Sequence, residues 1–279
     1  MFRNILPKTL YGGSVSNGKI AGCLFVILTV LLILSLPADS RPDRDKRADD
    51  NDGDEIPFSA TEIRIEVNGT DGDAGLQIFL DGEPWKRVRV EGPDGRLVYA
   101  VDNLGKLRRL GSTELFMESN EPNFEEELSL PEILELLPEG EYEFEGMTID
   151  GTELDGTATL THDLPCGPVI TMPVEEDTLD PTLPVVIVWE PVTNGLDTTS
   201  DEGECDESKE VEIIGYQVIV DNEDSDPLER FDIKLPADAA SVTIPPEFIV
   251  PGTEYKLEIL AIEVSGNQTI TESSFFTSE

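Results

Sequence analysis

The chain has 279 residues, 38% of them hydrophobic, and carries 59 acidic against 19 basic side chains for a net charge of −40. So negative a surface repels nucleic acid, whose phosphates require clustered Lys and Arg, and it disfavours anionic membrane surfaces. The length suits one to two domains plus an N-terminal appendage, and the charge suits a solvated surface that attracts divalent cations, calcium included, only weakly.

The appendage comes first. Arg3, Lys8 and Lys19 precede an uncharged run at residues 20–36, IAGCLFVILTVLLILSL, and Asp39 is the only acid before residue 41. Small Ala38 and Ser40 stand at −3 and −1 of a cleavage after Ser40. This is the basic, apolar and small-residue order of a secretory signal, and residues 1–40 are read as one. The run is slightly short for a comfortable bilayer crossing. Arg41, Arg44, Lys46 and Arg47 follow it, weakening the positive-inside bias, so an uncleaved anchor is the alternative. Ile20-Ala21-Gly22-Cys23 has lipobox wording, but the apolar run follows it instead of preceding it, so it reads as part of the apolar core. Residues 41–57, RPDRDKRADDNDGDEIP, are almost wholly charged and predict a disordered tether. Their Asp residues do not fit a calcium-loop pattern: with Gly53 sixth, Ala48 falls first and no Glu falls twelfth.

From residue 58 onward apolar side chains alternate. Ile63, Ile65 and Val67 form one set, Leu76, Ile78 and Leu80 a second, Val88 and Val90 a third, and Leu97, Tyr99 and Val101 a fourth. Turn chemistry separates them, with Asp81-Gly82 and Asp94-Gly95 read as hairpin turns. Short strands at roughly ten-residue intervals predict a β-sandwich. Ser129-Leu130-Pro131-Glu132 has capping-box spacing, and Ile133, Leu134 and Leu137 predict one short amphipathic helix. A strand follows from Glu139 to Phe144, and residues 157–164 close a domain spanning 58–165. The PEGEYEFEG wording at 138–146 loosely resembles transthyretin-like and immunoglobulin-like sandwiches. Asp71, Asp73 and Asp81 could approach around a turn and hold calcium through oxygen ligands, or simply make turns. Lys86, Arg87, Arg89, Arg96, Lys106, Arg108 and Arg109 are the one basic cluster after the tether; they either offset local acids or meet an outside anion. Trp85 is a packing residue or a stacking platform for a sugar or partner.

Residues 166–279 form the second domain. Pro173 lies in an early strand; Val186, Val188 and Trp189 form the next, and Ile213-Ile214-Gly215-Tyr216 with Val218 the third. Pro251-Gly252-Thr253-Glu254-Tyr255 turns into an alternating strand of Tyr255, Leu257, Ile259 and Ala261. Ser265-Gly266-Asn267 is a tight turn, because Gly and Asn tolerate positive φ, and Phe275-Phe276-Thr277 ends the chain. In this order the features resemble a fibronectin type III domain. The resemblance implies core roles for Trp189, Tyr216 and Tyr255, the last as a corner residue whose hydroxyl bonds back to the backbone. The family's RGD tripeptide is absent, so integrin binding does not carry over. The chain departs from the family in a long acidic loop at residues 192–210 and in Phe248-Ile249-Val250 ahead of the corner turn. In such a fold the loop ends near the pole where the domain begins, which implies a disulfide between Cys166 and Cys205 in an oxidising compartment, worth ~3 kcal/mol by loop closure. The same pole gathers Asp197, Asp201, Glu204, Asp206, Gly266 and Asn267, either as a cation or partner site or as a stapled, solvated insertion.

No catalytic group stands out. His162 is the only histidine, and Pro165 separates it from Cys166 in a way that breaks helical alignment of a Cys–His couple. A zinc site lacks ligands, and no Gly-rich phosphate loop is present. The fold expectation is all-β: two β-sandwiches in tandem after a signal segment and an acidic linker. The functional expectation is an exported, non-catalytic binding or structural protein of the cell surface or periplasm, without cofactor, meeting a protein or glycan partner. The alternative is a polysaccharide-acting hydrolase or its accessory module, using paired carboxylates and Trp85.

Overall fold

The structure, a computed structural model, describes residues 55–279. The signal segment, the Cys23 motif and nearly all of the tether lie outside the described residues. No helix among the described residues is long and apolar enough to cross a membrane.

The first half is built around one strand. After β1 (Ile56–Pro57) and β2 (Ala60–Asn68), β3 runs unbroken from Asp73 to Glu91. Then come β4 (Leu97–Asp102), a single turn α1 (Leu107–Leu110), β5 (Ser112–Glu118), α2 (Leu130–Leu136), β6 (Gly140–Thr148) and β7 (Glu153–Leu160). The first part of β3 lies between β2 and β5, and the part from Trp85 onward lies between β6 and β4. One strand thus serves both leaves of the sandwich. The hairpin expected at Asp81-Gly82 does not form, because Gly82 has a different job. A Cβ there would lie 2.9 Å from the Phe58 ring, which also presses on Gly146 and Gly156. Three glycines make room for one aromatic plug while the strand continues. Asp94-Gly95 does turn, with Gly95 at φ +71° and the Gly92 N–H donating to the Arg96 carbonyl. Helix α2 starts at Ser129, whose N–H and hydroxyl both donate to the Glu132 carboxylate, and Ile133 and Leu134 enter the core.

The second half contains β8 (Val169–Met172), β9 (Asp177–Leu179), β10 (Val186–Glu190), β11 (Asn194–Leu196), β12 (Cys205–Glu210), β13 (Ile213–Asn222), β14 (Glu229–Pro236), β15 (Ser241–Thr243), β16 (Glu254–Glu263) and β17 (Gln268–Thr277). Strands β15, β10 and β8 form one leaf, and β14, β13, β16 and β17 the other, the arrangement that the fibronectin type III resemblance implies. Trp189, Tyr216 and Tyr255 are all buried. The Trp189 and Tyr216 rings lie 5.4 Å apart, and Tyr255 stacks on Phe275 at 5.0 Å. The Tyr255 hydroxyl accepts from the Val250 N–H and donates to the Phe248 carbonyl, closing the corner.

The two sandwiches share a sheet. Gln268, Thr269 and Ile270 of β17 pair in parallel with Glu66, Val67 and Asn68 of β2, so strands from both halves join one twelve-stranded sheet. The acidic loop forms a small hairpin, β11 with β12. It too reaches across: the Leu130 N–H donates to the Asp201 carbonyl, and Leu164, Cys166 and Leu196 belong to the first core.

Cys166 and Cys205 are joined in a disulfide, Cα to Cα 5.4 Å. The crosslink closes a loop across a sequence separation of 39, worth roughly 3–4 kcal/mol by chain entropy. Non-reducing mass spectrometry of alkylated protein should therefore find neither cysteine labelled, and Cys205→Ser should lower unfolding stability by ~3 kcal/mol. Quantitative labelling of both thiols in unreduced protein would contradict the crosslink.

Candidate binding site

The pole singled out in the sequence is a junction. Asn267, expected on a free surface, is 1% exposed. Its side-chain oxygen accepts from the Ile65 N–H at 2.8 Å, and its amide nitrogen donates to the Thr161 and Asp163 carbonyls at 3.0 and 3.2 Å. One side chain therefore ties the β16–β17 turn to β2 and to the connection between the sandwiches. Gly266, at φ +100°, lets the chain reverse beside it, and the Ser265 and Thr161 hydroxyls share a hydrogen bond. The loop acids are turn formers first. Asp197 accepts from the Thr199 hydroxyl and N–H, and Asp206 does the same with Ser208. These bonds, hydroxyl first, hold both carboxyls below the usual range. Asp201 and Glu204 are exposed and contribute backbone carbonyls, to Leu130 and to Asp197.

A second group of acids lies along the seam, and sequence reasoning missed it. Glu66 on β2, Glu118 on β5 and Glu121 just beyond bring carboxylate oxygens within 4.8 Å of one another. Gln268 donates to Glu66 across the parallel pairing, and Gln77 donates to Glu118 at 2.8 Å. Gly75 opens the space, since a Cβ there would meet the Glu121 side chain at 2.8 Å. Burial pushes the Glu66 carboxyl up to about 7, against the Gln268 hydrogen bond. Burial and then repulsion from Glu66 and Glu118 push Glu121 up to about 8, and burial with nearby Asp71 raises Asp73 to about 6. Carboxylate oxygens are the donors that calcium takes, so these three glutamates form the set a cation would meet. The trio imagined from sequence does not assemble: Asp73 and Asp81 sit eight residues apart along one paired segment, roughly 26 Å at strand rise.

A groove of about 840 Å³ lies on the first sandwich, between β4, β5 and α2. Leu97, Tyr99, Met117, Leu128, Ile133 and Leu136 line it, with Arg96 and Glu127 among its polar groups. Strands β4 and β5 pair only with β3 among the described residues, so each leaves one edge without a partner strand.

Three further expectations meet the geometry. Trp85 is 2% exposed, a packing residue that cannot stack on a sugar. His162 Nε2 is 2.7 Å from the Leu137 carbonyl, and Cys166 is oxidised, so no Cys–His couple exists here. Of the basic cluster, Arg89 pairs with Glu91 and Arg96 with Asp94; no ion pair forms at Lys86, Arg87, Lys106, Arg108 or Arg109 among the described residues.

No protein-family model and no curated protein matches the chain. Solved structures do. The fibronectin(III)-like modules of Clostridium thermocellum CbhA are 9% identical with a TM-score of 0.31, covering 79% of this chain and 93% of theirs. The chicken CNTN1 FN1-FN3 domains are 12% identical at a TM-score of 0.31, over 81% of this chain and 65% of theirs. A two-domain fibronectin type III segment of chicken tenascin is 10% identical at 0.26, over 78% and 97%.

The seam acids set a pH dependence. Their folded-state values lie above the ordinary 4.5 for Glu, so the folded chain holds protons that the unfolded chain has released. The destabilisation these acids impose is absent below about pH 4.5, grows as pH rises, and levels off above about 8. Glu66 alone accounts for on the order of 3 kcal/mol. Urea unfolding across this range should show Glu66→Gln flattening the decline; parallel profiles for variant and wild type would refute the assignment.

Proposed function

We propose that this is an exported, non-catalytic binding protein of the cell surface or periplasm, whose fused sandwiches present the first-sandwich groove to a partner. The observation that carries this reading is the groove itself: open, largely apolar, and flanked by two unpaired strand edges. Apolar lining suits a protein segment better than a glycan, whose hydroxyls need polar partners once buried. An extended segment could also add to a free edge through main-chain hydrogen bonds. The disulfide supports export, because such crosslinks persist in oxidising compartments. The hydrolase alternative loses its aromatic platform with Trp85 buried.

The test is affinity capture from native envelope extracts with wild type and with Leu136→Asp, a change at an exposed groove position. The reading expects specific partners to be captured by wild type and lost, at least tenfold, with the folded variant. Identical capture by both proteins, or hydrolysis of envelope polysaccharide by wild type, would overturn it.

A further inference from the structure

The strongest departure from the chain's acidic character lies at one end of the first sandwich. Residues 103–111, NLGKLRRLG, carry three cations and no acid. Leu104, Leu107 and Leu110 are 74%, 51% and 71% exposed, and Lys106, Arg108 and Arg109 are exposed between them. The loop does not hang loosely. Buried Asn103 donates from its side chain to the Trp85 carbonyl and from its N–H to the Lys86 carbonyl, and it accepts from the Ser112 hydroxyl. At the other end Gly111, at φ +76°, fits where a Cβ would meet Pro84 and Ile149 at about 3 Å. A braced base thus holds a tip of exposed leucines and cations. Ile149, itself 44% exposed, lies against Gly111, whereas Arg87 belongs to a recess with Glu145, Glu153 and Asp155. Asp102, Glu83 and Asp150 are the acids next in sequence to Asn103, Pro84 and Ile149.

Ile56, close to the first described residue, pairs with Leu154 in parallel, next to the β6–β7 turn that holds Ile149. Glu55 shares a recess with Arg87 and Arg89. Residues 37–54 separate this point from the apolar run at 20–36, a tether reaching at most ~60 Å.

We propose that residues 103–111 form a docking tip for an anionic lipid bilayer, with Leu104, Leu107 and Leu110 inserted among the acyl chains and Lys106, Arg108 and Arg109 at the headgroups. None of Leu104 to Leu110 lines the groove between β4, β5 and α2 or the recess at Arg87. A convex, leucine-bearing tip fits a fluid layer that moulds to it, whereas a protein partner must supply a matched pocket. The net charge of −40 opposes approach to an anionic bilayer in general, so contact is expected only in the orientation that presents this basic tip. This inference rests on the exported, envelope-facing reading but not on the groove.

Hydrogen exchange of the full chain with phosphatidylcholine vesicles, with and without phosphatidylglycerol, tests it. Reading only residues 103–111 removes any contribution from insertion of residues 20–36. Exchange across 107–110 should slow at least tenfold on anionic vesicles and not on neutral ones. Leu107→Ser with Leu110→Ser should abolish that protection. Lys106→Glu with Arg108→Glu, a surface change that leaves the leucines in place, should weaken it by about fivefold per charge removed or more. Leu136→Asp in the groove should leave it intact, so failure of the groove reading is distinguishable. Unchanged exchange on anionic vesicles overturns the proposal, as does protection by an envelope protein without lipid, or equal protection in the leucine variant.

Discussion

Everything in this molecule depends on three residue pairs of parallel sheet. Where Gln268, Thr269 and Ile270 lie against Glu66, Val67 and Asn68, a strand of the C-terminal sandwich becomes the neighbour of a strand of the N-terminal one. Parallel pairing so short would be weak alone. It is supported on both sides by side-chain hydrogen bonds that cross between the halves. Asn267 fills three roles at one end of the contact. At the other end the Asn68 amide donates to Glu272, and the Thr70 hydroxyl accepts from the Glu272 N–H. Thr269, fully buried, donates to the Pro165 carbonyl at 2.6 Å. A buried amide stripped of such partners costs ~1–3 kcal/mol, so the seam resists sliding or opening.

The acidic insertion completes the joint. The disulfide ties its hairpin to the connecting segment, and the hairpin then lays Leu196 into the first core and its backbone against the start of α2. A Cβ at Gly203 would meet Leu130 at 2.8 Å, a measure of how closely the two halves approach. The seam also gathers charge. Lys256 lies between Glu258 and Glu272 at 2.9 Å from each, and its ammonium is favoured by both although burial opposes it. Among the described residues no ion pair forms within the Glu66, Glu118 and Glu121 group, although the rise that burial causes at Glu66 is opposed by the Arg64 charge. Rigidity and proton uptake therefore share one location, which couples the geometry of the joint to acidity.

Much of the second sandwich was legible because local chemistry dictates it. Pro251-Gly252 needs a turn with positive φ at Gly252, Tyr255 follows at the corner, and alternation gives the strands. The disulfide could be inferred once the fold placed both cysteines at one pole. The seam was not legible, because its partners are some 200 positions apart and parallel pairing leaves no local turn. One sign was present: Leu260, Ile219 and Ile270 are apolar on the face opposite the core and are buried together, as strands covered on both faces are. Asn267 closes the expected turn, its carbonyl accepting from the Glu263 N–H, but its side chain has a tertiary role that local chemistry does not reveal. Asp81-Gly82 misled for a related reason, since glycine there serves the Phe58 ring and not a reversal.

The central claim is that the seam makes the two sandwiches one cooperative body. Scanning calorimetry of the purified chain at neutral pH tests it most directly. One unfolding transition, with equal calorimetric and van't Hoff enthalpies and a midpoint lowered as a whole by Asn267→Ala, is the predicted result. Two separable transitions in the wild-type chain, with only one of them moved by that substitution, would contradict the account.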